Sequence, residues 1–417
     1  MERIILRRLR RAAQALAVFA VTLLVSAANH ARADVGFDRF LQSLWPEAQR
    51  LGITRATFDA ATRGLTPDLK LPDLVIPGRV TRPPGQPEFV LTPGDYLNER
   101  RLNALAAYGR NLAVKHRATL DRIEREIGVP GSVVLAIWAR ETDYGRYRLG
   151  HDAIRALATQ AYLGRRKEQF REEFLLALKM LQEGHVTRAT MRSSWAGALG
   201  LTQFLPSDFF KHAVDFDGDG RRNIWTSAPD ALASAARQLA GKGWQRGSPW
   251  AIEVEAPKDF DCARAEPSVK RPIGEWLRRG FVPAGKGKLS AEELSEEASV
   301  LMPEGTHGPA FLTPKNYYVI KDYNFSDLYV LFVGTLSDRI AGKGGFVTPW
   351  AKDEQLRTAQ VEAMQQRLTE LGLYKDKIDG KAGMLTRAAL GAYQKVNGLS
   401  LDCWPTAEVL RHMTRRN

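Results

Sequence analysis

Cysteine is nearly absent from this chain of 417 residues: only Cys262 and Cys403 occur. They are too few and too far apart for a zinc-ligand array. No basic arm interleaved with aromatics is present either, which argues against nucleic-acid binding. Hydrophobic residues make up 44% and charged residues 26%. These ordinary proportions exclude a wholly disordered, collagen-like or multi-span membrane protein. No internal repeat stands out, and low complexity is confined to short Pro/Gly stretches.

Acidic residues are in deficit, 47 against 60 Lys plus Arg, and part of that imbalance lies at the N-terminus. Residues 1–33 carry Arg3, Arg7, Arg8, Arg10, Arg11 and Arg32 against Glu2 alone, which leaves a body of about +8 that suits a polyanionic partner. Arg3 to Arg11 form a basic run, Ala12 to Ala28 an apolar one, and Ala31-Arg32-Ala33 a small-x-small cleavage signal. The pattern predicts an export signal over 1–33, a periplasmic address, and no integral membrane domain once the signal is removed. An uncleaved anchor is the alternative, because the apolar run is at the short end of what spans a bilayer. No cysteine lies near the cut, so a lipoprotein anchor is excluded. In an oxidising compartment Cys262 and Cys403 are expected to pair.

Helical periodicity dominates the body. The spacing predicts one long helix over Tyr96 to Glu126, a strongly apolar one over Gly131 to Asp143, and others over Phe170 to Gly184 and Asp230 to Lys242. Pro67 to Pro93 is expected to be extended over a surface. Alternation at Ile252-Glu253-Val254-Glu255 predicts a small α+β subdomain between Trp250 and Phe311. After the Gly-rich stretch ending at Pro349, a compact three-helix unit is expected over 354–417, following a body over 34–350.

On the Gly131 to Asp143 helix, Val134, Ile137, Trp138 and Glu141 share one face. A carboxyl on an apolar face is desolvated and becomes a candidate general acid; the bland alternative is a core Glu paired with an Arg. Asp215-Phe216-Asp217-Gly218-Asp219-Gly220-Arg221-Arg222-Asn223 follows the first half of a calcium loop: oxygens stand at positions 1, 3, 5 and 9, glycine at 6, and the Arg221 carbonyl at 7. Thr226 occupies position 12, where a bidentate Glu is usual, and a solvated acidic turn is the alternative.

Glu141-Thr142-x-x-Gly145, the Ser194 to Ser207 block with Ala-Gly-Ala-x-Gly-x-x-Gln-Phe-x-Pro, the Asp215 to Trp225 segment, and Tyr323-Asn324-x-Ser326 occur in this order. Together they resemble the lytic murein transglycosylase B family, glycoside hydrolase family 103, over roughly residues 36 to 345. The resemblance implies a mainly α chain with a lysozyme-like α+β catalytic domain. It makes Glu141 the sole catalytic acid and base, places Ser194, Gln203, Tyr323 and Asn324 along the sugar cleft, and adds Asp230 to the metal loop. It implies cleavage of the MurNAc–GlcNAc β-1,4 bond of peptidoglycan glycan strands with 1,6-anhydroMurNAc ends, no cofactor for the chemistry, and a structural Ca²⁺. A muramidase on the same fold and a non-catalytic wall-binding scaffold remain as alternatives. Gln365-x-x-Leu368-x-x-Leu371-Gly372, Asp379-Gly380-x-x-Gly383-x-x-Thr386, Tyr393-Gln394 and Gly398-Leu399 resemble the three-helix peptidoglycan-binding domain, with an inert helical cap as the alternative. Cys403 stands where that domain has Gly after Asp402, so a changed turn is expected there.

Overall fold

The computed structural model describes residues 35–78, 91–285, 287–351 and 356–415. The expected export signal over 1–33 lies outside these residues. The described chain is mainly helical, and its described residues divide into two compact units: 35–78 with 149–210, and 91–148 with those from 211 to 415.

In the first unit the helices Trp45–Arg50, Arg55–Thr62, Ala153–Leu163 and Lys167–Gln182 surround fully buried side chains such as Phe58, Phe170 and Phe174. Thr54 caps the Arg55–Thr62 helix by accepting the Thr57 N–H, and Asp152 caps Ala153–Leu163 through Arg155 N–H. His151–Asp152 pairs antiparallel with Arg192–Ser193. The Pro-rich stretch is anchored rather than merely extended. Leu71 and Leu74 pack against Ala156, and Val75 N–H donates to the Leu163 carbonyl at 2.6 Å. Its continuation, 79–90, lies outside the described residues.

The second unit is built around Gly131–Thr142, in which only Ser132, Arg140 and Glu141 escape full burial. A helix apolar on nearly every side is stable only when surrounded. Here the helices Glu99–Lys115, Ala228–Gly241 and Asp327–Ile340 pack against it. The single helix expected over Tyr96 to Glu126 is instead two, Glu99–Lys115 and Arg117–Ile127. They meet at His116, whose backbone (φ −106°, ψ 21°) leaves the helical region. The break turns the second helix so that Leu120 and Ile123 are buried, while the His116 ring lies edge-on to Trp138 at 6.1 Å. A one-residue bend leaves helical periodicity almost intact, which is why the spacing did not predict it.

The α+β subdomain is present as a five-stranded sheet in the order Arg271–Pro272, Glu297–Leu301, Ala310–Thr313, Ile252–Glu255 and Val282–Pro283, with every neighbouring pair antiparallel. The helices Thr358–Glu370, Met384–Val396 and Ala407–Arg415 close around Met364, Leu368, Leu390, Tyr393 and Met413. This three-helix module is not loosely tethered. A disulfide joins Cys262 to Cys403, and both belong to one core cluster with Val254, Ile273 and Trp276. Thr306 N–H donates to the Asp402 carbonyl at 3.0 Å. Gly305 admits that close approach because any Cβ there would collide with the same carbonyl. Cys403 has φ 56°, so the turn that suits glycine is kept by a residue that tolerates it less well.

Candidate active site

Glu141 lies in the last turn of the Gly131–Thr142 helix and is partly buried. The helix stops through three successive left-handed residues, Asp143 (φ 51°), Tyr144 (φ 58°) and Gly145 (φ 80°). Two of these are non-glycine, which is costly and is held by packing: Tyr144 is buried, and its hydroxyl donates to the Leu105 carbonyl at 2.9 Å. Asp143, the carboxylate nearest in sequence to Glu141, is half exposed and ion-paired to Arg146 at 2.7 Å.

The Glu141 carboxylate accepts a hydrogen bond from the Tyr329 hydroxyl, Oη to Oε1 at 2.6 Å. Burial, and then the Glu141 charge, push the Tyr329 phenol well above its ordinary value, so Tyr329 keeps its proton and remains a donor. Arg140 stands beside the pair. Its Nε donates to the Tyr96 hydroxyl at 2.8 Å, and its guanidinium lies 5.8 Å from the Tyr329 ring and 5.7 Å from the Phe332 ring. Tyr323 stacks on Tyr329 at 6.3 Å with an interplanar angle of 11°. Asn324 Oδ1 accepts the Ser326 N–H at 3.2 Å, which fixes the turn that starts the Asp327–Ile340 helix. Glu141, Tyr323, Asn324 and Tyr329 are thus gathered in the second unit. Tyr329 was not singled out from sequence, since it sits in a run from Leu328 to Val333 that reads as core.

Ser194 and Gln203 share one tight loop of the first unit. Ser194 Oγ accepts the Ala198 N–H at 3.1 Å, and Gln203 Nε2 donates to the Gly200 carbonyl at 3.1 Å. Gln203 has φ 56°, and Leu199 pairs with Phe204 across the loop. Buried Glu173 clamps the end of this block through Ser207, accepting its N–H at 2.9 Å and its hydroxyl at 2.7 Å. Burial still pushes the Glu173 carboxyl above its usual range. Nothing in the local pattern marked Glu173, which reads as one polar residue on a helix.

In the acidic loop Asp215, Asp217 and Asp230 each offer an oxygen within 4.8 Å of the others. Asp230 is fully buried and accepts N–H groups from Phe216 (2.7 Å), Asp217 (3.2 Å) and Asn223 (2.7 Å). Burial nonetheless raises its pKa. Three close carboxylates repel, so this group fits a cation better than it fits none. Asp219 is outside the group, and its carboxylate accepts the Arg221 N–H at 2.8 Å. Asn223 Oδ1 accepts N–H groups from Trp225 and Thr226.

The module's motif residues converge on one side chain. Gln365, fully buried, donates to Asp379, Thr386, Tyr374 and the Lys381 carbonyl, and accepts from the N–H groups of Asp379 and Gly380. The Gln, Asp-Gly and Thr positions therefore hold the module's own loop in shape.

The chain resembles known proteins over most of its length. Residues 36–338 match the transglycosylase SLT domain and residues 357–413 a peptidoglycan binding domain. The membrane-bound lytic murein transglycosylase B of Escherichia coli K12 is 28% identical over 317 residues, 73% of this chain and 79% of that protein. SltB3 of Pseudomonas aeruginosa, solved in complex with NAG-anhNAM-pentapeptide, is 37% identical, with a TM-score of 0.81 over 91% of this chain and 99% of that one. The lytic transglycosylase Slt35 of Escherichia coli, solved in complex with calcium, is 27% identical, with a TM-score of 0.51 over 60% of this chain and 77% of that one. The chain belongs to the transglycosylase SLT family, in its lytic murein transglycosylase B branch, with a C-terminal peptidoglycan-binding domain. It is an enzyme that cleaves peptidoglycan glycan strands.

Proposed function

We propose that Glu141 is the single acid and base of a lytic transglycosylase that cuts the MurNAc–GlcNAc β-1,4 bond and leaves 1,6-anhydroMurNAc ends. The protonated carboxyl gives its proton to the glycosidic oxygen. The resulting carboxylate takes the proton of the MurNAc 6-hydroxyl as that oxygen closes onto C1. One group serves both steps, because donating the proton creates the base. The observation that carries this reading is the Tyr329–Glu141 hydrogen bond at the end of a buried helix: a permanent donor holds one carboxyl oxygen and fixes the orientation of the group. A two-carboxylate hydrolase would need a partner at about 5 Å or at about 6.5 to 9.5 Å, and Asp143 is already paired to Arg146 in solvent. The anhydro sugar bound by SltB3 also supports the reading. The chemistry uses the protein's own carboxyl and needs no cofactor. Mass spectrometry of digested murein tests it. Anhydro-terminated products are expected, and products heavier by one water would mean a muramidase.

Tyr323 and Asn324 of the second unit, and separately Ser194 and Gln203 of the first, are proposed as sugar-binding residues. Asp215, Asp217 and Asp230 would hold a structural Ca²⁺, whose charge would relieve the repulsion in the loop. The proposed domains are a catalytic body over 34–350 and a murein-binding module over 354–417. An export signal over 1–33 would deliver the enzyme to the periplasm, where its substrate lies. Among the described residues no helix is long and apolar enough to cross a membrane.

A further inference from the structure

Asp327 opens the helix that carries Tyr329, and its carboxylate is held from both sides. Oδ1 accepts the Tyr317 hydroxyl at 2.7 Å and pairs with the Lys321 ammonium, two groups of the preceding helix Lys315–Lys321. Oδ2 faces the guanidinium of Arg387, with Nη2 at 3.5 Å, on the Met384–Val396 helix of the three-helix module. Asp327 lies inside the transglycosylase match and Arg387 inside the peptidoglycan-binding match, so neither assignment supplies the contact between them.

This carboxylate closes the loop that bears Tyr323 and Asn324. Lys321 and Asp327 are the two ends of that loop, and within it Asn324 Oδ1 accepts the Ser326 N–H at 3.2 Å. No side chain among the described residues caps the helix at Ser326, so the acidic residue of the first turn is what complements the N–H groups there. Tyr329 belongs to that same turn. It is buried, stacks on Tyr323 at 6.3 Å and donates to Glu141 at 2.6 Å. In a close-packed interior a shift of the helix start is passed on to the Tyr329 hydroxyl rather than absorbed.

Arg387 is buried, and its fork spans the junction: Nη1 donates to the Ala382 carbonyl in the module's own loop, while Nη2 faces Asp327. Burial would raise the Asp327 carboxyl, but Lys321 and Arg387 hold it below its ordinary value, so the bridge is charged on both sides. The module end of the bridge is itself fixed, by the Cys262–Cys403 bond and by a Lys395–Asp261 ion pair at 2.8 Å. A buried ion pair is often no more stabilising than an apolar pair of similar volume, which points to a geometric use. Gathering polymer needs only a tether, not a buried ionic contact with the helix that carries the donor to Glu141.

We propose that Arg387 is a positioning residue for glycan cleavage: through Asp327 it fixes the start of the Asp327–Ile340 helix, and with it the Tyr329 hydroxyl on Glu141. The module thereby takes part in the chemical step, a role separate from murein binding. The proposal rests on the reading of Glu141 as the acid and base.

The test uses the full chain and a soluble murein tetrasaccharide, at a temperature well below the melting point of every variant. Arg387→Met removes the charge and keeps most of the side-chain volume. It is expected to lower kcat about tenfold with KM within about twofold of the parent's, the mark of an interaction used in the transition state. In a Tyr329→Phe background the same substitution should change kcat by less than about twofold, because the donor it positions is already gone. A rise in KM with kcat unchanged would make Arg387 a substrate-binding residue, and an equal loss of kcat in both backgrounds would make it a packing residue. Either result overturns the proposal, as does no change at all. If Arg387→Met does not fold, Arg387→Lys, which keeps the buried charge and loses the fork, carries the same comparison. A kcat loss that vanishes beside Tyr329→Phe is then expected, and one that persists overturns the proposal. Parent products heavier by one water would sink the transglycosylase reading alone, and the kinetic comparison would still decide the role of Arg387.

Discussion

Tyr329 and Glu141 come from two helices 188 residues apart and meet through a 2.6 Å hydrogen bond in which the phenol can only donate. The donor stabilises the carboxylate form and fixes its orientation. Glu141→Gln is expected to abolish glycan cleavage while leaving murein binding intact. Tyr329→Phe should keep the fold, lower kcat by about 10- to 100-fold, and move the pH limb that reports this carboxyl upward, because the charged form has lost a donor. A pH series of kcat/KM on a soluble tetrasaccharide checks both. An unchanged profile in Tyr329→Phe would make Tyr329 a packing residue only.

The Cys262–Cys403 bond closes a separation of 141 residues and lies inside a core cluster shared by the sheet and the module. Loop-closure entropy alone assigns such a bond about 5 kcal/mol. The double variant Cys262→Ser with Cys403→Ser should melt well below the parent under non-reducing conditions. Removing residues 354–417 should do more damage still, because Leu401 and Cys403 leave that cluster as well. Thiol titration of the denatured, unreduced parent should find no free thiol; two would dismiss the bond.

Asp327 joins the body to the module through Arg387 at 3.5 Å and is also paired with Lys321. Burial alone would raise its carboxyl, but Lys321 and Arg387 outweigh burial and hold it below the ordinary value of 3.8. For a depressed carboxyl the stabilisation is present above the unfolded pKa and is lost as pH falls through the folded one. Asp327→Asn leaves the buried Arg387 without its counter-charge, a change that typically costs about 3 to 5 kcal/mol at neutral pH. The gap between parent and variant melting temperatures should stay constant from neutral pH down to about pH 4 and close below it. Calorimetry across that range checks this, and a gap independent of pH would show that the charge is not what Asp327 contributes.

Much of this site could be read from local pattern, and what could not follows a physical rule. The Gly131–Thr142 helix declares itself because a run apolar on all sides with one Glu near its end has few other uses. The Gln365 network is legible because a short loop closes on one side chain. Tyr329, Glu173 and the Asp327–Arg387 pair were not, since each depends on partners 188, 34 and 60 residues away and each looks locally like ordinary helix. The bend at His116 escaped for the opposite reason: it is too local to disturb the apolar spacing on either side.

The acidic loop supplies the last prediction. Asp215, Asp217 and Asp230 hold oxygens within 4.8 Å of one another, although Asp215 and Asp230 already accept several backbone N–H groups. Those hydrogen bonds shape the loop but do not cancel three negative charges, whereas a divalent cation would. Ca²⁺ at 100 times its dissociation constant should stabilise the protein by about 2.7 kcal/mol, and EGTA should remove that gain. Asp217→Asn, which takes away one charge at an exposed position, should abolish the calcium response while keeping the calcium-free melting temperature close to the parent's or above it. If Ca²⁺ and EGTA give equal melting temperatures in the parent, the loop is a hydrogen-bonded turn and not a metal site.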